Sequence, residues 1–223
     1  MIVALEGIDA SGKATQSKLL AKALRASLYS FPAYNTPVGS MILKHLKREV
    51  SLCGWNVVSE KPEGRKEIPL EDLRHMDALM FQSLQFTNRM ELQEALQACS
   101  RLGTNVVLDR YTGSSLAYGA ADGLDWKYLK STQSCLLQPD YNIYIDIPPE
   151  ESAKRRPDRR DRYEANWEFL ENVRHAYLWV WDECGRLPES TKWVVIDGMK
   201  PVEEVHFAIM HAIGAWKENS LEP

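Results

Sequence analysis

The run GIDASGKATQ, residues 7–16, has the residue types and spacing of a loop that wraps a phosphate chain. In the pattern G-x-x-x-x-G-K-[ST], glycines such as Gly7 and Gly12 let the backbone come close to the anion. The successive N–H groups of Ala10, Ser11 and Gly12 and the start of a following helix then face the phosphates, and Lys13 reaches the outer ones. The hydroxyl that should follow the lysine and bind magnesium is missing: Ala14 stands there, with Thr15 one place later. Helix neighbours differ by about 100° in direction, so Thr15 does not replace that ligand and is read as a partner of an inner phosphate. Magnesium keeps several waters and is held by substrate phosphates and one or two carboxylates, so weaker metal binding is expected rather than a dead site.

A second chemical cluster follows the apolar run NVVLD (105–109), which ends in Asp109-Arg110-Tyr111. A carboxylate at the carboxyl edge of a parallel strand lies beside such a loop. Asp109 is expected to bind magnesium through water, and Arg110 to clamp phosphate oxygens with its planar fork of donors. Farther on, AKRRPDRRDRYE (153–164) places five arginines between Arg155 and Arg162. Alone, such a run reads as a solvated basic face. Beside a phosphate loop it reads as a lid of cations that closes over the transferred group and expels water. Since the loop carries Ala10 and Ser11 where an arginine could stand, the lid has to supply that charge.

These residues need a scaffold that brings them to one edge, and the sequence has its rhythm. Short β-rich runs at 2–7, 27–31, 105–109, 141–146 and 192–197 alternate with helical stretches, which is the pattern of a parallel α/β sheet covered on both faces. Helices are expected over Lys13–Ala26, over Pro37–Arg48 after a Thr36 cap, over Leu70–Leu102 and over Glu164–Leu187. Residues 50–69 lack a period and contain Pro62, Gly64 and Pro69, and are read as an excursion from one domain spanning 1–223.

With 44% hydrophobic and 26% charged residues the chain has a globular composition, and its net charge of −4 argues against a non-specific nucleic-acid binder. Cys53, Cys99, Cys135 and Cys184 make no C-x-x-C pair, so four reduced thiols are expected. A strand-like run from Ile2 leaves no room for a signal peptide, and no 18-residue apolar stretch occurs, so no membrane partner and a cytoplasmic location are expected.

The ordered set of motifs resembles the thymidylate kinase family of P-loop nucleoside monophosphate kinases. The matches are LEGID-xx-GK-x-TQ (Leu5–Gln16), Phe31-Pro32, FTNR (Phe86–Arg89), DRYxxSxxAY (Asp109–Tyr118) and DRYE (Asp161–Glu164), spread in family order over nearly the whole chain. The likeness implies a P-loop NTPase-type three-layer α/β/α fold with a five-stranded parallel sheet ordered 2-3-1-4-5 and an arginine-rich lid at about 150–164. It also implies transfer of the ATP γ-phosphate to dTMP with Mg2+, ATP and dTMP as partners, and a homodimer.

Carried over by position, the resemblance gives Gly7, Ala10–Thr15 and Lys13 to ATP. It gives Asp9 to the sugar hydroxyl or acceptor phosphate and Arg89 to the thymine edge. Asp109 and Arg110 hold metal and phosphates, Ser114 and Ser115 approach the base, and Tyr118 packs on the sugar. The chain departs from the family pattern at Ala14, at Gln85 where a stacking phenylalanine is usual, at Tyr34 where eukaryotic members have a phosphate-gripping arginine, and at Gly119. Phe86 or Phe81 is then the candidate stacking ring, with Phe31, Tyr34 and Gln85 beside the acceptor. The resemblance also implies catalytic lid arginines, with Arg155, Arg156, Arg159 and Arg160 as the candidates. The rivals are a deoxynucleoside kinase, a kinase for another (deoxy)nucleoside monophosphate, and a nucleotide-binding protein without turnover.

Overall fold

The computed structural model describes residues 1–47, 49, 50, 52, 70–156, 167–185 and 191–215. Its centre is a sheet of five parallel strands: β1 (Ile2–Glu6), β2 (Ser27–Ser30), β3 (Val106–Asp109), β4 (Tyr141–Asp146) and β5 (Lys192–Asp197). They lie in the order β2-β3-β1-β4-β5, as expected. β1 pairs with β3 through Ile2 opposite Val106 and with β4 through Val3 opposite Tyr141, so the carboxyl ends of all three reach the same edge.

The near-continuous apolar runs are explained by two covered faces. Val3 and Leu5 of β1 pack with Val107, Ile143 and Ile145 against Leu20 of helix α1 (Lys13–Leu24) and Val205, Ile209 and Ile213 at helix α9 (Val202–Ala212). Alternate residues turn the other way, where Ile2, Ala4, Val106 and Leu108 pack with Leu96. Each fully buried aliphatic side chain in these layers contributes about 1.5–3 kcal/mol of transfer free energy. Among the described residues, no helix is long and apolar enough to cross a membrane.

The remaining helices are α2 (Pro37–Leu46), α3 (Leu70–Met90), α4 (Gln93–Arg101), α5 (Thr112–Ala121), α6 (Trp126–Gln133), α7 (Pro149–Arg155) and α8 (Trp167–Gly185). α2 starts as expected, with Pro37 at its first turn and the Thr36 hydroxyl accepting from Gly39 N at 3.1 Å. α1 stops two residues early because Arg25 takes a left-handed conformation (φ 50°) and turns the chain into β2.

The single helix expected over Leu70–Leu102 is corrected to two, α3 and α4, broken at Glu91 and Leu92. At the junction Glu91 N still donates to Thr87 O at 3.1 Å, while Leu92 N donates to Arg89 O at 3.2 Å in a tighter turn. The Glu91 carboxylate accepts from Thr36 Oγ1 at 2.6 Å, Val38 N at 3.2 Å and Asn88 Nδ2 at 3.0 Å, which ties this junction to the start of α2. The expected excursion at 50–69, apart from Val50 and Leu52, lies outside the described residues, as do Arg159, Arg160 and the DRYE run at 161–164.

Candidate active site

The loop after β1 runs from Gly7 to Gly12 and delivers the chain into α1. Gly7 (φ 147°) admits no side chain, because a Cβ there would meet Ile145 O and Ser11 Oγ at 2.7 Å. Gly12 (φ 99°) caps α1 with no side-chain hydrogen bond, which leaves the first N–H groups of the helix to an anion. Lys13, first in the helix and 5% exposed, folds back so that Nζ donates to Ile8 O at 2.6 Å and to Ser11 Oγ at 3.3 Å. Burial, with Arg110 adding to it, lowers its pKa from 10.5 to about 8 against the pull of Asp9, Asp109 and Glu6.

β3 ends at Asp109, and Arg110 sits immediately beyond it in a left-handed conformation (φ 62°) held by Arg110 N donating to Leu5 O at 2.9 Å. This turn aims the Arg110 guanidinium across the phosphate loop: Nη1 donates to Gly7 O at 2.8 Å and Nη2 to Asp9 Oδ1 at 2.7 Å. Burial opposes ionisation of Asp9, yet Arg110 and Lys13 together hold its carboxyl below the usual range. The Tyr118 ring lies 5.4 Å from the Arg110 guanidinium carbon, and Tyr118 OH donates to Asp9 Oδ2 at 3.4 Å.

Two cavities open on either side of this ion pair. One is bounded by Gly12, Lys13, Ala14, Thr15 and Asp109, by Arg155 and Arg156 at the end of α7, and by Lys200, Pro201 and Val202 at the start of α9. The other is bounded by Phe31, Pro32, Tyr34, Leu46 and Phe81, by Gln82, Gln85 and Arg89 of α3, and by Ser114, Ser115 and Tyr118 of α5. Asp9 and Arg110 border both. The first has the basic, helix-terminal wall that suits a polyphosphate. The second pairs apolar surface with a few polar groups, which suits a small ring compound.

Most residues singled out from the sequence gather here, with some differences. Phe86 packs against the core cluster of Ile2, Phe31 and Tyr111 and does not line the second cavity, whereas Phe81, one turn earlier and 4% exposed, does. The Ser114 hydroxyl is committed inward, donating to Glu6 Oε2 at 2.6 Å and sharing a 2.9 Å hydrogen bond with Tyr177 OH. Arg89 is 2% exposed; its Nη1 donates to Gln85 O at 2.8 Å and its Nη2 to Tyr111 O at 2.7 Å, and burial brings its pKa down to about 10. Arg155 donates to Glu151 Oε1 at 2.8 Å, Gly198 O at 2.9 Å and Ala10 O at 3.5 Å, tying the described part of the lid segment to the phosphate loop.

Glu6 was given no role by its sequence. It is fully buried at the end of β1 and accepts from Tyr111 N at 2.9 Å, Ser114 Oγ at 2.6 Å and Tyr177 OH at 3.3 Å. Burial raises its pKa despite Ser114, Arg110 and Arg89. A carboxylate closing the otherwise apolar run IVALE was the available signal. Gln82 and Lys200–Val202 were also missed; the latter reach the site only through the fold.

The sequence profile of the family described as thymidylate kinase matches residues 5–53 and 66–209. The chain belongs to the thymidylate kinase family. It is similar to the thymidylate kinase of Arabidopsis thaliana, 30% identical over 95% of this chain and 70% of the relative. It is also similar to that of Caldanaerobacter subterraneus subsp. tengcongensis, 33% identical over 95% and 93%. The solved structure of a thymidylate kinase from Candida albicans superposes with a TM-score of 0.70 at 24% identity, covering 96% of this chain and 90% of that one, so the two share the fold. Membership makes the chain a phosphotransferase, and the two-cavity cleft is its candidate active site.

Proposed function

We propose that the chain transfers the γ-phosphoryl group of ATP to dTMP, giving dTDP and ADP. The observation that carries this reading is the Asp9–Arg110 pair bordering both cavities, because one guanidinium then adjoins the donor's terminal phosphate and the acceptor's monoester. The donor triphosphate lies along the amino end of α1, over the open N–H groups beyond Gly12. Lys13 exchanges its contacts with Ile8 O and Ser11 Oγ for phosphate oxygens. The acceptor nucleoside occupies the second cavity, with its sugar against Tyr118 and its base against the face of α3 that carries Phe81, Gln82, Gln85 and Arg89.

Attack is in line and direct, with no covalent enzyme intermediate, so catalysis consists of positioning and charge stabilisation by Lys13, Arg110, Arg155 and Arg156. The residues fit magnesium held mainly by substrate: Asp109 offers a carboxylate on the wall that carries Lys13 and Thr15, while Ala14 offers no ligand. Magnesium, when bound, neutralises charge on the donor's phosphate oxygens, and Asp109 would hold it through water.

An ADP-release assay with ATP and Mg2+ tests the reading. Turnover is expected with dTMP, and Asp109→Ala is expected to lower it by about 10²–10³-fold while the fold is retained. Turnover with thymidine but not dTMP would make the chain a deoxynucleoside kinase. Tight nucleotide binding without product at saturating magnesium would make it a binding protein.

A further inference from the structure

Three side chains on the wall of the acceptor cavity are each at most 4% exposed: Gln82, Arg89 and Ser115. Each keeps one buried polar atom with no hydrogen-bond partner among the described residues, namely Gln82 Oε1, Arg89 Nε and Ser115 Oγ. Native folds leave few such atoms, and three around one cavity point to a ligand that completes them. Gln82, Gln85 and Arg89 lie at i, i+3 and i+7, so α3 presents them along one face. Gln85 occupies the position where the resemblance expects a stacking ring. Stacking accepts any base, because every base has a π-face, whereas edge hydrogen bonds do not.

We propose that Gln82 is a specificity-determining residue of this kinase, its Oε1 accepting the N3–H of the pyrimidine base. The inference rests on the reading of the cavity as the dTMP site. Pairing follows from donor and acceptor chemistry. Thymine has one N–H, N3–H, flanked by two carbonyl oxygens. Arg89 Nε–H can only donate, a Gln Oε1 can only accept, and Ser115 Oγ can do either. The N3–H therefore goes to Gln82 Oε1, and the carbonyls to Arg89 and Ser115. The Arg89 guanidinium cannot swing to suit another base, since Gln85 O and Tyr111 O hold it. Uracil has the same edge and is accepted. Cytosine held the same way turns an N3 lone pair toward Oε1 and an amine toward a donor, and is refused.

The test is kcat/KM for dTMP, dUMP and dCMP in the wild type, Gln82→Leu and Gln82→Glu, with calorimetric dTMP affinity and a thermal melt for each. The wild type is expected to use dTMP and dUMP and to disfavour dCMP. In Gln82→Leu the dTMP/dCMP ratio falls by about tenfold or more, the loss residing in KM and in the calorimetric affinity. Gln82→Glu, which keeps an acceptor, retains the preference. An unchanged ratio in Gln82→Leu, or a wild type that prefers dCMP, overturns the proposal. A wild type that binds dTMP but turns over no acceptor refutes the kinase reading instead, and the calorimetric comparison still decides the role of Gln82.

Discussion

Replacing Lys13 by methionine should abolish phosphoryl transfer and at the same time make the empty protein more stable near neutral pH. The ammonium is 5% exposed and its pKa is about 8 where 10.5 is ordinary. At about 1.36 kcal/mol per pKa unit, keeping it protonated at pH 7 costs the empty fold roughly 3 kcal/mol. Methionine matches the length of the stem and removes the charge, but forfeits the hydrogen bonds to Ile8 O and Ser11 Oγ. At about 1 kcal/mol for each lost bond, a net gain of roughly 1–2 kcal/mol remains.

For a domain of this size that gain raises Tm by about 2–8 °C. The pH dependence identifies the cause. Between the folded pKa and the unfolded one, the unfolded chain binds the extra proton, so wild-type stability rises relative to the mutant as pH climbs from about 8 to 10.5. Thermal unfolding of nucleotide-free wild type and Lys13→Met at about pH 7 and about pH 10 reads this directly: the mutant melts higher at the first and loses its advantage at the second. A mutant that melts lower at neutral pH, or an advantage that does not shrink, refutes the argument.

Glu6→Ala removes the acceptor of Tyr111 N, Ser114 Oγ and Tyr177 OH together, and denaturant unfolding should show a loss of about 2–4 kcal/mol. Ala14→Ser should restore the hydroxyl missing after the lysine and lower the magnesium concentration for half-maximal activity several-fold; equal requirements would deny position 14 any part in metal binding.

Local patterns carried the parts of the site that depend on neighbouring residues. A strand, two glycines and a lysine at the head of a helix specify the phosphate loop because each constraint acts within a few residues. Asp109-Arg110 was legible because a parallel strand puts its last residue at the ligand-binding edge. What escaped notice was decided between elements. Glu91 keeps the helical period of α3, and the hydrogen bonds by which Thr36 and Val38 tie its carboxylate to α2 at the α3–α4 junction come from another element. Phe86 and Phe81 are equally aromatic, and only the seating of α3 turns one to the core and the other to the cavity. Glu6 lay inside a quoted motif, yet its partners come from the start of α5, from α5 itself and from α8.

The Asp9–Arg110 pair has a thermodynamic consequence for how the two nucleotides arrive. On the proposed function, a nucleotide whose phosphate drew Arg110 away from Asp9 would bear the cost of loosening that pair, and the second to arrive would find the work done. By linkage, the factor by which ATP tightens dTMP equals the factor by which dTMP tightens ATP. Neither affinity is then a private property of its own side of the cleft.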